Sequence, residues 1–236
     1  MILSIQNINI IGGKLIMGEK HKKIAINHFI SAADELINEV GIEKITIRGI
    51  AQKSGYNSAT IYNYFENLDH LIFFGAMKNI RDYALALNSY LSDEKNAMDR
   101  FLMVWECFLN YAYLKPDIYN AIFFPKLSKN IEEYVAEFYS LFPEDLGIHH
   151  DTISTMLLKG DINERGMTTV MDCVNEGFIE PHNADKLNNM TLLIFEGMLI
   201  RVLRGTISYE DAKIKSMDYI KSIVKSFLIK DYIFYF

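Results

Sequence analysis

Apolar residues recur at spacings of three and four along most of this chain, which is the period of amphipathic α-helices. The first such stretch runs from about residue 19 to residue 40, and Gly41 is expected to end it. Proline and glycine interrupt the later stretches, where helices usually stop. The pattern predicts further helices at 67–91, 97–114, 117–124, 128–141, 148–159, 161–178, 183–204 and 208–229. Because no alternating strand pattern competes, the sequence predicts an all-α protein.

Residues 45–65, ITIRGIAQKSGYNSATIYNYF, have the pattern of two short helices joined by a tight turn. Thr46 is placed to cap the first helix with its side chain. Gly55 is placed to end that helix, since glycine adopts the left-handed conformation at little cost. These signals predict a helix-turn-helix, a motif whose second helix can enter the major groove of DNA.

The second helix of this motif is predicted to begin after Asn57 or Ser58, either of which can act as its cap. Ile61 and Phe65 lie one turn apart and are expected to be buried. The side chains predicted to face outward carry hydroxyls, amides and phenols but no charge: Tyr56, Asn57, Ser58, Thr60, Tyr62, Asn63 and Tyr64. Such a face can make hydrogen bonds to DNA without long-range attraction.

A set of positions between about Lys20 and Gly75 extends this pattern. They are Ala32, Ala33, Gly41, Ile45, Thr46, Ile47, Arg48, Ile50, Ala51, Gly55, Thr60, Ile61, Tyr62, Tyr64 and Phe65. Together they resemble the DNA-binding domain of the TetR family of bacterial transcriptional regulators. The resemblance implies an N-terminal three-helix helix-turn-helix domain, followed by a helical bundle that binds an effector and dimerises. Two positions depart from the family pattern: Leu68 stands where a phosphate-binding lysine is frequent, and Gly49 lies inside a helix.

The resemblance also implies roles for individual side chains at the DNA. Thr46, Tyr62 and Tyr64 are expected to bond phosphates, which fixes register without reading sequence. The candidates for contacts with base edges are Arg48, Tyr56, Asn57, Ser58, Thr60 and Asn63, with Ala59 small enough to meet a thymine methyl. Lys22 and Lys23 belong to a cationic cluster at the start of the first helix, where they oppose the helix dipole. Phosphate contact and a merely solvated helix end both remain open for them.

The predicted domains are an N-terminal extension at 1–18, the helix-turn-helix domain at 19–66, and the effector-binding and dimerisation domain at 67–236. Disorder is one alternative for the extension, which lacks a signal-peptide pattern. Another is that Met17 is the true initiator, so that residues 1–16 are not native. The net charge of the chain is −6, but the helix-turn-helix domain carries equal numbers of cations and anions. A neutral DNA-binding domain binds weakly alone, which favours a dimer.

Two groups of residues in the larger domain are candidate sites. The effector pocket is predicted from aromatic and methionine side chains spread over several helices: Phe101, Trp105, Phe108, Tyr111, Phe123, Phe124, Met171 and Phe178. Ordinary core packing is the alternative for any one of them. The dimer interface is predicted on the helix at 183–204, which is apolar around most of its circumference, through Leu192, Phe195, Gly197, Leu199 and Ile200. A helix fully buried within one subunit is the alternative.

Nothing in the sequence indicates catalysis, a cofactor or a metal. No nucleophile elbow, phosphate loop or paired-carboxylate motif occurs. His149 and His150 are adjacent, and neighbours on a helix point about 100° apart, which is unsuited to one shared ion. Cys107 and Cys173 lack any CxxC spacing, so reduced thiols in a cytoplasmic protein are expected. No apolar run reaches the ~20 residues that a membrane span needs.

The predicted function is ligand-responsive transcriptional regulation, with repression expected. A homodimer would bind a palindromic operator of double-stranded DNA, and a small apolar or amphipathic effector would release it. The alternative is a DNA-bound interaction or chromosome-organising protein without a small-molecule effector. A pocket filled completely by the protein's own side chains would favour that alternative.

Overall fold

A computed structural model describes the backbone of residues 3–124, 131–149 and 151–234, and the side chains of these ranges from residue 21 onward. The α-helices are α1 Leu3–Val40, α2 Ile47–Ser54, α3 Ser58–Ile61, α4 Leu68–Tyr90, α5 Ala97–Leu114, α6 Pro116–Phe123, α7 Ile131–Leu141, α8 Asp151–Leu158, α9 Ile162–Asn175, α10 Ala184–Leu203 and α11 Tyr209–Phe227. Strands are absent from these ranges, where Ile179 and Leu228 form an isolated bridge. The predicted all-α fold class is confirmed.

The chain divides into two compact units, Met1–Ala76 and Met77–Phe236. In the first unit, α1 packs against α2, and α2 packs against α3. The centre of this unit is Phe29 on α1, which is fully buried and lies edge-on to Phe65, with 6.3 Å between the ring centroids. The apolar stripe predicted for the first helix is therefore the surface on which the helix-turn-helix is assembled.

The second unit is built around α5, α9, α10 and α11. Helix α10 packs against both α9 and α11, and α11 packs against α5. The contact between α9 and α10 is close at Gly166, where a Cβ atom would lie 2.2 Å from Asn188 Oδ1. A glycine is required there because any larger residue would separate the two helices.

Most predicted helix ends agree with the structure, and α5 has the predicted bounds. Helix α9 is an exception, because it ends at Asn175 rather than Phe178. Gly177 has φ of +73°, and the Phe178 N–H turns back to donate to the Cys173 carbonyl at 2.9 Å. This arrangement ends a helix and satisfies its last carbonyls. Helix α1 begins at Leu3 and so includes most of the expected extension. Residues 128–130, the start of the helix predicted at 128–141, lie outside the described residues.

Both cysteines are free and buried. Burial raises the pKa of the Cys107 thiol to about 12, and it also raises the pKa of Cys173. Both groups therefore stay protonated near neutral pH. None of the helices described here reaches the length and hydrophobicity that crossing a lipid bilayer requires.

Candidate nucleic-acid interface

The first helix of the motif, α2, has the predicted cap and the predicted end. Thr46 Oγ1 accepts a 3.0 Å hydrogen bond from the Gly49 N–H. At the other end, Gly55 has φ of +78° and donates its N–H to the Ala51 carbonyl. Gly49 is explained by the same cap, because a Cβ atom there would lie 3.3 Å from Thr46 Oγ1.

The second helix, α3, begins after Asn57, whose Oδ1 accepts a 2.9 Å hydrogen bond from the Thr60 N–H. Asn57 rather than Ser58 is thus the cap. The helix is shorter than predicted and ends at Ile61, because the following residues form tight turns that share the Ile61 carbonyl. Phe65 nevertheless remains buried, as predicted.

The outward side of α3 and the turn after it is uncharged and accessible. Tyr62 is the most exposed aromatic side chain here, at 58% exposure. The neighbouring Asn57, Ala59 and Asn63 are also exposed, and Ser58 and Thr60 are half-buried. On the opposite side Ile61 is fully buried. The motif therefore presents a polar surface without presenting charge.

Tyr56 and Tyr64 lie at the edges of this surface and are half-buried. Their rings pack against Phe29, with centroids 4.9 Å and 5.9 Å away. The Tyr56 hydroxyl also forms a 3.3 Å hydrogen bond with His28 Nδ1. His28 was not predicted, and its only signal in the sequence is its position one residue before the central Phe29. These contacts fix the two phenols with respect to α1.

The cations of the first unit differ in how freely they can meet phosphate. Lys53 forms ion pairs of 2.7 Å with Glu39 and 3.0 Å with Glu35. The hydrogen bonds that Lys53 donates to Glu39 and Glu35 raise its pKa. Arg48 is exposed, and none of the ion pairs found among the described residues involves it. Lys22 and Lys23 are exposed on α1.

The second unit contains a cavity of about 30 Å³, enough for one or two water molecules. Its lining is formed by Tyr83, Val104, Trp105, Phe108, Met156, Ile162, Arg165, Gly166, Thr169 and Leu192. Of the residues predicted for an effector pocket, Trp105 and Phe108 line this cavity. Arg165 was not predicted, although it stands within the apolar stripe of α9, three residues after Ile162.

The other predicted pocket residues lie elsewhere. Phe123 and Phe124 line a separate surface depression of about 340 Å³, which shares Ile162 and Leu192 with the cavity. Phe101 is fully buried beside Trp105 and outside the cavity lining. Tyr111 is half-buried and also lies outside the lining.

The last two residues predicted for the pocket lie away from this cavity. Met171 lies on the solvent side of α9 and is 39% exposed. Phe178 is buried, but it packs against the C-terminal segment, with its ring centroid 6.0 Å from that of Tyr232. An apolar side chain does not by itself reveal which side of its helix faces a cavity.

The dimer-interface residues predicted on α10 fall on two sides of that helix. Leu192, Phe195 and Leu199 are buried within the chain's own core. Phe195, for example, stacks on Tyr113 with centroids 6.0 Å apart. Gly197 and Ile200 are instead exposed, and so is Leu193 at 66% exposure. The exposed apolar stripe of α10 is therefore Leu193, Gly197 and Ile200, at spacings of four and three.

Within the described residues, no group of three or more histidine, cysteine, aspartate or glutamate side chains is arranged to hold a metal ion. His149 instead contacts its neighbours. Its Nε2–H donates to the Leu146 carbonyl at 2.8 Å, and its Nδ1 lies 3.0 Å from the side-chain amide of Asn88. Its neighbour His150 lies outside the described residues.

A capped helix-turn-helix with an exposed, uncharged reading surface, attached to an all-helical second unit, defines a DNA-binding transcriptional regulator. The family profile described as bacterial regulatory proteins, tetR family, matches residues 29–73, which span the whole motif. The resemblance to the TetR family that the sequence pattern predicts is thus confirmed for this part of the chain. Regulators of the family are non-enzymatic DNA-binding proteins.

Solved structures extend the similarity over most of the chain. A TetR transcription regulator from Haloarcula marismortui aligns at 14% identity over 86% of this chain and 98% of its own, with a TM-score of 0.55. RolR in complex with resorcinol aligns at 15% identity over 89% and 91%, with a TM-score of 0.57. Thermus thermophilus FadR in complex with lauroyl-CoA aligns at 10% identity over 88% and 97%, with a TM-score of 0.55. At these identities the likeness concerns the fold. No curated protein matches the sequence.

Proposed function

We propose that this chain is a cytoplasmic homodimeric repressor that binds a palindromic operator and leaves it when a small apolar or amphipathic effector binds. The proposal is carried by the surface of α3 and its following turn, where Tyr62 is 58% exposed beside the exposed, uncharged Asn63. Together these side chains offer a phenol hydroxyl and an amide, with no charge, to the groups that DNA presents.

The side chains of this surface divide by what they can bond. Thr46, Tyr62 and Tyr64 contact phosphates, which positions the motif. The Thr46 hydroxyl accepts its cap bond and keeps its own proton to donate. The base edges are met by Arg48, Tyr56, Asn57, Ser58, Ala59, Thr60 and Asn63, with Arg48 suited to guanine and an asparagine to adenine. Lys22 and Lys23 add phosphate contacts from α1.

Dimerisation uses the exposed stripe of α10. Leu193, Gly197 and Ile200 form an apolar face, and Gly197 has no heavy atom within 4 Å of where its Cβ would be. A second helix can therefore approach closely at that point. Two copies related by a two-fold axis place two motifs on half-sites one DNA turn (~34–36 Å) or a multiple of it apart. Pairing also compensates for a DNA-binding unit that carries no net charge.

Release by an effector is supported by ligand complexes of structurally similar regulators, one with resorcinol and one with lauroyl-CoA. In this chain the effector enters the second unit at the cavity lined by Trp105 and Phe108. A ligand shifts the population away from the DNA-binding form only by its difference in affinity for the two forms.

The small size of the cavity favours testing one alternative function, that of a DNA-bound protein without an effector. At about 30 Å³ it is far smaller than the roughly 300–1,000 Å³ of typical ligand pockets. A DNA-bound interaction or chromosome-organising protein needs no pocket at all. That alternative predicts that no small molecule changes operator affinity, whereas a ligand-released repressor loses affinity with at least one.

The deciding experiment is nuclease protection of the DNA upstream of the chain's own gene by the purified protein. We expect a protected palindromic segment, which Tyr62→Ala weakens strongly. Tyr209→Ala is the matched control, because Tyr209 is an exposed tyrosine at the start of α11, outside the motif. Folded wild-type protein that protects no segment of this DNA would overturn the proposal.

A further inference from the structure

Arg165 is a buried cation at the wall of the apolar cavity. It is 6% exposed, and no other lysine or arginine among the described side chains is buried. It lies on the inward side of α9 with Ile162 and Thr169, both of which also line the cavity. Placing a guanidinium in such surroundings is costly unless the charge is compensated.

The protein compensates Arg165 only in part. Its Nε donates to the Lys159 carbonyl at 2.6 Å, and its Nη2 donates to the Leu157 carbonyl at 2.8 Å. These carbonyls lie at the end of α8, where a cation is favoured by the helix dipole. The guanidinium has five N–H groups, so these two bonds leave three of them without a carbonyl or carboxylate acceptor in the described residues. The Phe123 ring covers one face of the guanidinium, with its centroid 5.1 Å from Cζ.

No carboxylate pairs with Arg165 among the described residues, in contrast to two other charged groups of this unit. Arg100 pairs with Asp172 at 2.7 Å and with Glu94 at 3.0 Å. The buried Asp145 pairs with Lys78 at 2.9 Å and with Arg81 at 3.4 Å, so it is already taken. Arg100 and Asp145 thus have partners of opposite sign, and the cation at the cavity does not.

Two buried hydroxyls near Arg165 keep a proton to donate. Among the described residues, neither Tyr119 Oη nor Tyr139 Oη has an acceptor for its proton, and the Arg165 guanidinium faces Tyr139 Oη as a donor. Burial raises the pKa of both groups, and the charge of Arg165 opposes that rise, which places the guanidinium close to them. Both phenols stay protonated near neutral pH and can donate. A buried set of hydrogen-bond donors without an acceptor is matched by an anion.

We propose that this cavity binds the carboxylate of a small apolar monocarboxylic acid, with Arg165 as its charge partner, and that this acid is the effector. The inference rests on the proposed function for its consequence at the operator, although not for the binding itself. The carboxylate accepts from the uncommitted N–H groups of Arg165. The apolar body of the acid suits the side chains of Val104, Trp105, Phe108 and Met156.

The cavity must widen to admit such a molecule, and the structure indicates where. Ile162 and Leu192 line both the 30 Å³ cavity and the 340 Å³ surface depression. Rotation of these two side chains joins the two spaces. The acid then keeps its charged end at Arg165 and extends its body towards Phe123 and Phe124, whose side chains line the depression.

The test measures dissociation constants by calorimetry for matched pairs of acid and neutral amide at neutral pH. The pairs are benzoate and benzamide, phenylacetate and phenylacetamide, hexanoate and hexanamide, and octanoate and octanamide. We expect wild-type protein to bind at least one acid about tenfold or more tightly than its amide, as a charge-assisted hydrogen bond supplies. Arg165→Met should abolish this preference. Arg81→Met, which removes another cation of the same unit, should keep it.

Equal binding of acid and amide in every pair, or no acid binding at all, would overturn the inference, as would a preference that survives Arg165→Met. If circular dichroism shows that Arg165→Met does not fold, Arg165→Lys replaces it. This variant keeps the charge and should therefore keep a reduced preference for the acid. Wild-type protein that binds acid and amide equally would still overturn the inference. Operator binding measured on the same samples separates the two proposals. Folded protein that binds no operator overturns the proposed function, whereas operator binding without acid preference overturns only this inference.

Discussion

Asn57 and Asn63 have the same side chain but different freedom to read a base. Asn57 Oδ1 accepts from the Thr60 N–H at 2.9 Å and from Thr60 Oγ1 at 3.1 Å. Its amide group is therefore left chiefly with donors to offer. Bidentate pairing with adenine needs one donor and one acceptor, which the exposed Asn63 retains. Of the two asparagines, only Asn63 therefore keeps both the donor and the acceptor that the proposed contact with adenine requires, and Asn57 can offer its amide only to acceptors on the base edges.

At the residue scale, Tyr62→Ala and Asn63→Ala should weaken DNA binding in different ways. Loss of a phosphate contact at Tyr62 lowers affinity by a similar factor for every sequence. Loss of a base contact at Asn63 costs about 1–3 kcal/mol on the operator and relaxes the preference at particular base pairs. Binding curves on the operator and on single-base variants measure both effects. Unchanged affinity for Tyr62→Ala, or a uniform loss for Asn63→Ala, would contradict the assigned roles.

Asn57 can be tested with a substitution that keeps the cap. Asn57→Ala should lower the free energy of unfolding by about 1 kcal/mol, because the first N–H groups of α3 lose their acceptor. Asn57→Asp keeps an acceptor at the cap but removes the amide donors and adds a negative charge beside DNA. We therefore expect near-native stability and weaker operator binding for Asn57→Asp, measured by urea unfolding and by fluorescence anisotropy. Equal stability of the alanine and aspartate variants would argue against the capping role.

At the scale of the elements, α9 and α10 each contain a glycine, and the two glycines differ in what surrounds them. Gly166 faces Asn188, which is fully buried and held by a hydrogen bond from its Nδ2 to the Asn163 carbonyl at 3.0 Å. Asn188 therefore cannot withdraw from an added methyl group. Gly197 on α10 is exposed and has open space where its Cβ would be. One glycine allows a contact within the chain, and the other leaves room for a partner.

Gly166→Ala should destabilise the protein by roughly 1–3 kcal/mol, the usual cost of overpacking. Gly197→Ala is the matched control and should stabilise the folded subunit by up to about 1 kcal/mol through helix propensity. The same control should weaken the dimer if a helix crosses at Gly197. Urea unfolding gives the first two effects, and sedimentation equilibrium gives the third. A dimer constant unaffected by Gly197→Ala, and by the bulkier Gly197→Leu, would place the interface elsewhere.

For the whole molecule, the parts that could be predicted from sequence are those with local signals. Thr46 and Gly55 mark the ends of α2, and Asn67 caps α4 by accepting from the His70 N–H at 2.8 Å. The cavity has no local signal, because its lining comes from several helices. Composition predicted apolar side chains there, yet it could not separate Trp105, which lines the cavity, from Met171, which faces solvent. Arg165 was missed because a charged residue in an apolar stripe is usually explained by exposure.

The buried acids of the second unit predict loss of stability at alkaline pH. Burial raises the pKa of Cys107 from 9.0 to about 12 and also raises that of Tyr83 and Tyr113. The unfolded chain therefore releases these protons at lower pH than the folded chain. Their stabilising effect is complete below about pH 9 and is lost as the pH rises towards about 12, at about 1.4 kcal/mol for each pKa unit.

Urea unfolding at a series of pH values measures this effect. We expect the midpoint to fall steadily above about pH 9, and to fall less steeply for Cys107→Ala, which lacks the titrating thiol. A midpoint that holds constant to about pH 11 would contradict the burial of these groups. The quantity compared is the change of the midpoint with pH within each protein. The constant loss of stability from the cavity that Cys107→Ala leaves therefore cancels.

The near-filled cavity also has a kinetic consequence. In the proposed site a ligand enters only when Ile162 and Leu192 rotate aside. The observed association rate should therefore rise with ligand concentration and then level off at the rate of that rotation. The apparent affinity is reduced by the small fraction of time spent open. Replacing either side chain with alanine should therefore raise the association rate of the ligand and also lower its apparent dissociation constant.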